Sequence, residues 1–60
     1  MVSFNETKMK KLAKKDQYIM FVWKDLKKRN KNLSDKEILE IVFNANVLDD
    51  SEYQRVYKAL

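Results

Sequence analysis

Leu33-Ser34-Asp35-Lys36-Glu37-Ile38 and Leu48-Asp49-Asp50-Ser51-Glu52-Tyr53 carry the same helix-opening signal, fifteen positions apart. In each copy a short oxygen-bearing residue, Ser34 or Asp49, is spaced to accept from a free N–H of the first turn. A Glu three positions on, Glu37 or Glu52, can reach back to the N–H of the cap residue. An apolar residue before each cap (Leu33, Leu48) can pack on one just inside (Ile38, Tyr53), which makes a hydrophobic staple. The register continues past the caps, with Ile41 matching Val56, Val42 matching Tyr57 and Ala45 matching Leu60. Two short helices with matching apolar faces, linked near Asn46, are therefore expected as an αα-hairpin over residues 34–60.

The rest of the composition points the same way. The chain contains neither Gly nor Pro, so the usual punctuation of β-hairpins is missing and no residue adopts positive φ without strain. Turns fall to Asp and to Asn30, Asn32, Asn44 and Asn46. An all-α fold is expected: a small three- to four-helix bundle ending in the hairpin. Sixty residues make one domain, and a chain this short buries only about 60% of the surface its unfolded form exposes. With no Cys to staple it, self-association is the expected source of extra burial.

Upstream of the hairpin, Ile19, Val22, Trp23 and Leu26 fall at i, i+3, i+4 and i+7 and line one helix face. The run Tyr18–Trp23 also suits a strand by composition. The helix prevails because Lys24–Arg29 keeps the helical period and no partner strand exists. Residues 3–15 hold Ser3 and Glu6 at capping-box spacing, with Phe4, Met9, Leu12 and Ala13 as a thin apolar stripe among lysines. Such an end is prone to fray. A single rod over residues 4–29 would be about 39 Å long, more than the hairpin covers, so a break is expected near Asp16. The single domain thus divides into a basic N-terminal helix or arm (1–15), a central helix (16–30) and the capped hairpin (34–60). Within the hairpin, Ile38, Leu39, Ile41, Val42 and Ala45 should face inward from the first helix, with Phe43 to one side. Tyr53, Val56, Tyr57 and Leu60 should do so from the second.

Asn44-Ala45-Asn46-Val47-Leu48-Asp49-Asp50-Ser51-Glu52-Tyr53, followed by Lys58-Ala59-Leu60, resembles the short C-terminal domain family (SHOCT). Its helical hairpins carry a Gly-apolar-apolar-Thr/Ser-acid-acid-Glu-Phe turn and a Lys-rich helix ending in Leu. The likeness covers residues 44–60, with Asn46 where the family prefers Gly and Asp49 where it prefers Thr or Ser. The resemblance implies an oligomerising or nucleic-acid-associated module and not a catalyst.

The residues themselves disfavour catalysis. With no His and no Cys, the commonest general base and the thiol nucleophile are missing. With no Gly, a phosphate-cradling loop is excluded. Asp49, Asp50 and Glu52 are better read as helix-start residues than as a cation site, since the same spacing recurs at Ser34 without an acid cluster. No metal and no cofactor are expected. The longest apolar run is far too short to span a bilayer, and no signal peptide is visible. A cytoplasmic protein without a membrane partner is the expectation.

Charge is where function becomes legible. Residues 1–31 carry ten Lys or Arg against three acids, a net +7, and residues 32–60 carry three against six, a net −3. If Ile19, Val22, Trp23 and Leu26 face the core, then Gln17, Phe21, Lys24, Lys28 and Lys31 lie opposite. Lysines one turn apart beside an aromatic ring suit a phosphate backbone and offer a stacking surface, although Phe21 itself, with Met20, is expected under the N-terminal helix or in a dimer seam. Lys10, Lys11 and Lys14 would extend the stripe, and Arg29 is the one residue there able to read a base edge in bidentate fashion. A nucleic acid, DNA or RNA, contacting the basic face of residues 8–31 is the first expectation, as in an accessory or regulatory protein of Lys- and Asn-rich mobile elements. The hairpin is a poor groove reader, because its second helix opens on Asp49, Asp50 and Glu52. The alternative is an interaction module that binds an acidic protein. In that reading Phe4, Met20, Phe21 and Phe43 form an interface, with a homo-oligomer as the expected assembly.

Overall fold

A carboxylate at position 16 can end one helix and begin the next, because its backbone N–H and its side chain serve different partners. In the computed structural model, which describes residues 2–60, Asp16 does both. Its backbone is extended, with φ −123° and ψ 114°. Its N–H donates to the Leu12 carbonyl at 2.9 Å, and its carboxylate accepts from the Ile19 N–H at 3.1 Å. The expected break near Asp16 therefore separates α1 (Glu6–Lys15) from α2 (Gln17–Arg29). After the 30–34 turn come α3 (Asp35–Asn46) and, beyond the 47–50 turn, α4 (Ser51–Lys58). The fold is all-α, with no strand among the described residues.

Two of the three expected caps move. At α3 the capping box forms as read: Ser34 Oγ accepts from the Glu37 N–H at 3.2 Å, and Glu37 Oε1 accepts from the Ser34 N–H at 3.1 Å. At α1 the cap is Asn5, which accepts from the Lys8 N–H at 3.0 Å, and not Ser3. The preceding residues are held elsewhere. Val2 is buried, Phe4 meets Phe43 edge-on at 5.8 Å, and the Ser3 carbonyl accepts from the Tyr57 hydroxyl at 2.8 Å. At α4 the cap is Asp50, which accepts from the Glu52 and Tyr53 N–H groups at 2.9 and 3.0 Å. Asp49 is passed over because the turn closes through the Asp50 N–H, which donates to the Val47 carbonyl at 3.1 Å. With the cap at Asp50, Glu52 falls at the second helical position, one short of the place from which a capping box closes.

Turns without Gly are closed by backbone bonds, Leu33 N–H to the Asn30 carbonyl and Asp50 N–H to the Val47 carbonyl, both 3.1 Å, with side chains in support. No residue with positive φ occurs among those described. Asn30 and Asn46 instead donate their side-chain amides to the carbonyls four residues back, Leu26 at 3.0 Å and Val42 at 3.1 Å. At Leu26 the amide is a second donor, since that carbonyl also accepts from the Asn30 backbone N–H at 2.8 Å.

The core draws on every element: Val2 from the arm, Met9, Leu12 and Ala13 from α1, Ile19 from α2, Ile38, Leu39, Val42 and Phe43 from α3, Val47 from the turn and Tyr57 from α4. α1 packs on all three other helices, and α2 also packs on α3. α4 thus lies along α1 and touches α3 mainly through Tyr57, whose ring sits 5.4 Å from that of Phe43. This placement corrects several inward assignments. Ile41 is 44% exposed, Val56 45%, and Ala45 is also exposed, because no helix covers those sides of α3 and α4. Phe43, expected at a second surface, is 3% exposed and central to the core. Its proposed partner in an interface, Phe4, is half-buried against it.

Candidate nucleic-acid interface

α2 divides cleanly by side. Ile19 is fully buried, with Val22, Trp23 and Leu26 half-buried around it. At 100° per residue, Gln17, Phe21, Lys24 and Lys28 fall within about 60° of one another on the opposite side. All four are exposed, and Lys31 follows, exposed, in the turn. Phe21 is 67% exposed, so an aromatic ring stands bare in the middle of a cationic stripe. Met20, the remaining interface candidate, is half-buried beside it. Trp23 behaves as a core anchor, although its indole N–H is buried without a hydrogen-bond partner among the described residues.

The break at Asp16 brings α1 to this face. Lys14 and Ala13 line a shallow cleft of about 290 Å³ with Gln17, Met20 and Phe21. Lys10 and Lys11 precede Lys14 by one turn on the same side of α1. At the far end of α2, Lys28, Arg29 and Lys31 line a second cleft of about 520 Å³ with Asn30, Asn32 and Leu33.

Ion pairing sorts the seven cations named from the sequence. Lys10 lies 3.2 Å from Glu6, and Arg29 lies 3.3 Å from Asp25. Both pairs are i,i+4, a spacing already visible in the sequence and the signal by which they are found. Lys27, outside the set, pairs with Asp35 at 3.3 Å. Lys11, Lys14, Lys24, Lys28 and Lys31 have no ion-pair partner among the described residues. The exposed pairs contribute only about 0–1 kcal/mol each, so Lys10 and Arg29 remain exchangeable with an outside anion. The five unpaired lysines carry the uncompensated field.

The other flank of α2 has the opposite sign. Asp16, Asp50 and Glu52 line a cleft of about 300 Å³ with Tyr53 and Val56. Partial burial pushes the Tyr53 hydroxyl above its ordinary pKa, and the carboxylates of Asp16 and Asp50 and the nearby Tyr18 add to the shift. Tyr18, which the sequence reading treated only as part of an apolar run, is 56% exposed on this acidic side. The signal that would have found it is its place about 90° from the middle of the core-facing stripe at about 100° per residue, on the flank between that stripe and Phe21. One helix therefore presents a bare aromatic residue to each of two oppositely charged flanks.

Among the described residues no three acids group as a metal site would need, and no helix is long and apolar enough to cross a membrane. Comparison with known proteins finds no match: no family model, no curated protein and no solved structure is significantly similar to this chain.

Proposed function

We propose that this protein is a small non-enzymatic nucleic-acid-binding accessory or regulatory factor of the cytoplasm. It contacts the phosphate backbone through Lys14, Lys24, Lys28 and Lys31, with Lys10, Lys11 and Arg29 at the margins. The observation that carries this reading is the row of exposed, unpaired lysines on the outward side of α2. Lys24 and Lys28 stand at i,i+4, where like charges repel. A polyanion relieves that repulsion and releases its own counterions. The resemblance of residues 44–60 to the SHOCT hairpin agrees with this role and equally with an oligomerising one.

The test is a titration of labelled duplex and single strand by fluorescence anisotropy across a salt series. Four phosphate contacts give a slope of about −3 to −4 in log K against log salt. Absence of binding at low salt, or affinity indifferent to salt, would remove this reading.

A second reading has its own support. Tyr18, Phe21, Ile41 and Val56 are large apolar side chains left exposed, surface that a second copy could cover. The basic flank and the acidic cleft are also complementary, so a second copy or an acidic protein could meet them. Light scattering over a dilution series discriminates, since a strict monomer that keeps its helicity counts against assembly.

A further inference from the structure

The nucleic-acid reading leaves open what form of nucleic acid the face accepts, and Phe21 bears on that question. A duplex keeps its bases stacked inside and shows a helix face only phosphates, sugars and groove edges. Groove edges are read mainly by Arg, Lys, Asn or Gln, and the outward stripe of α2 offers only Gln17 besides lysines, which serve a phosphate equally well. Arg29 is tied to Asp25 at 3.3 Å and lies about 80° round the helix from Phe21. A bare phenyl ring gains nothing from a phosphate. It gains from the flat face of an unpaired base. Phe21 has that exposure, with cations one turn ahead at Lys24 and across the cleft at Lys14. We infer that the α1–α2 face binds single-stranded nucleic acid, with one base stacked on Phe21 and the flanking phosphates held by Lys14, Lys24 and Lys28.

The acidic flank sets the path. Tyr18 is nearly as bare as Phe21, yet it lies towards Tyr53, which lines the acidic cleft with Asp16, Asp50 and Glu52, where a phosphate is repelled. The strand therefore follows the lysine side of Phe21 and leaves Tyr18 uncontacted. This is the internal control. Two exposed aromatic residues on one helix differ in the sign of their surroundings, and only one should stack.

The inference rests on the phosphate-binding reading, and one experiment separates their failures. Labelled oligothymidylate and a duplex of equal length are titrated with the full chain and with Phe21→Ala, Phe21→Leu, Phe21→Tyr and Tyr18→Ala, each first checked for helicity and melting temperature. The expected result is tighter binding of the single strand. Phe21→Ala and Phe21→Leu should weaken it about tenfold, a loss within the range of one stacked base, with the salt slope unchanged. Phe21→Tyr should stay within about twofold of the parent, since its ring still stacks, and so should Tyr18→Ala.

Salt-dependent binding with the duplex equal or preferred overturns the inference and leaves the phosphate reading standing. A Phe21→Leu variant that binds like the parent also overturns it, since a merely apolar contact would then suffice. If Phe21→Ala dissolves an oligomer and leaves oligonucleotide affinity intact, the ring belongs in a seam between copies and the inference falls. No salt-dependent binding to either probe removes both proposals together.

Discussion

Tyr57 shows how much one side chain joins in this fold. Its ring lies against Phe43 at 5.4 Å, the Lys8 ammonium sits 5.5 Å from its centroid, and its hydroxyl donates to the Ser3 carbonyl at 2.8 Å. The arm, α1, α3 and α4 meet at this residue. Burial raises the hydroxyl pKa above its ordinary value of 10.0. The folded state therefore holds the proton more tightly than the unfolded chain does. The associated stability is fully present below pH 10 and is lost as pH rises through the folded value. Far-ultraviolet circular dichroism from pH 8 to 12 should show helix melting begin near pH 10. Tyr57→Phe should cost about 1 kcal/mol at neutral pH for the lost hydrogen bond and should flatten that alkaline limb. An equally steep limb in Tyr57→Phe would assign the transition to other groups, Tyr53 first among them. Phe43, by contrast, was not legible as core. Its step along α3 places it beside the expected stripe, and it is the rings of Phe4 and Tyr57, brought over that side by the tertiary fold, that help bury it.

Caps decide where elements begin, and here the sequence spoke clearly at one site and ambiguously at another. Ser34 and Glu37 formed the expected reciprocal pair because nothing else claims the Ser34 N–H. Asp49 matched that spacing equally well, but the turn's own hydrogen bond at Asp50 moved the start of α4 by one residue. Adjacent acids are indistinguishable by spacing alone. The distinction is measurable. Asp50→Ala should lower stability by about 1 kcal/mol, while Asp49→Ala should stay within about 0.5 kcal/mol of the parent, read from urea or thermal midpoints. At α3, hydrogen bonds from the Ser34 backbone and hydroxyl lower the Glu37 pKa below its ordinary 4.5. A depressed carboxyl contributes stability above that value and loses it as pH falls through the folded one. Acidification below about pH 4.5 should therefore destabilise the parent more than Glu37→Gln, compared by melts at pH 6 and pH 3. Parallel curves for the two would mean that the box contributes nothing to acid sensitivity. Periodicity placed Gln17, Lys24 and Lys28 correctly on the outward side of α2, whereas Lys31 falls in the turn beyond the helix and Phe21, expected under a neighbouring helix or in a seam, stands exposed. The pairing of Lys10 and Arg29 was equally available in the i,i+4 spacing and was passed over.

At the scale of the molecule, interior and surface make opposite demands, and two substitutions expose the difference. A chain of this length has total stability of about 3–9 kcal/mol, and Phe→Ala in a core typically costs about 3–5 kcal/mol. Phe43→Ala should leave the protein largely unfolded, whereas Phe21→Ala, at the bare ring, should melt with the parent. Lys24→Gln makes the complementary case for charge. Lys24 faces Lys28 at i,i+4 and Lys27 at i,i+3 with no carboxylate paired to it. Unlike Lys28, it stands too far from the end of α2 to gain from the helix dipole. Its charge therefore works against the fold, and removing it should raise stability by about 0.3 kcal/mol at low salt. That gain should vanish once the Debye length shrinks to a few Å near 1 M. If the lysine row serves phosphate, the same substitution should weaken nucleic-acid binding and make its salt slope shallower by about one. Melts at two ionic strengths and one salt titration measure both sides. A variant that is more stable and binds undiminished would mean that the repulsion along α2 serves some other end, and the phosphate proposal would lose its principal residue.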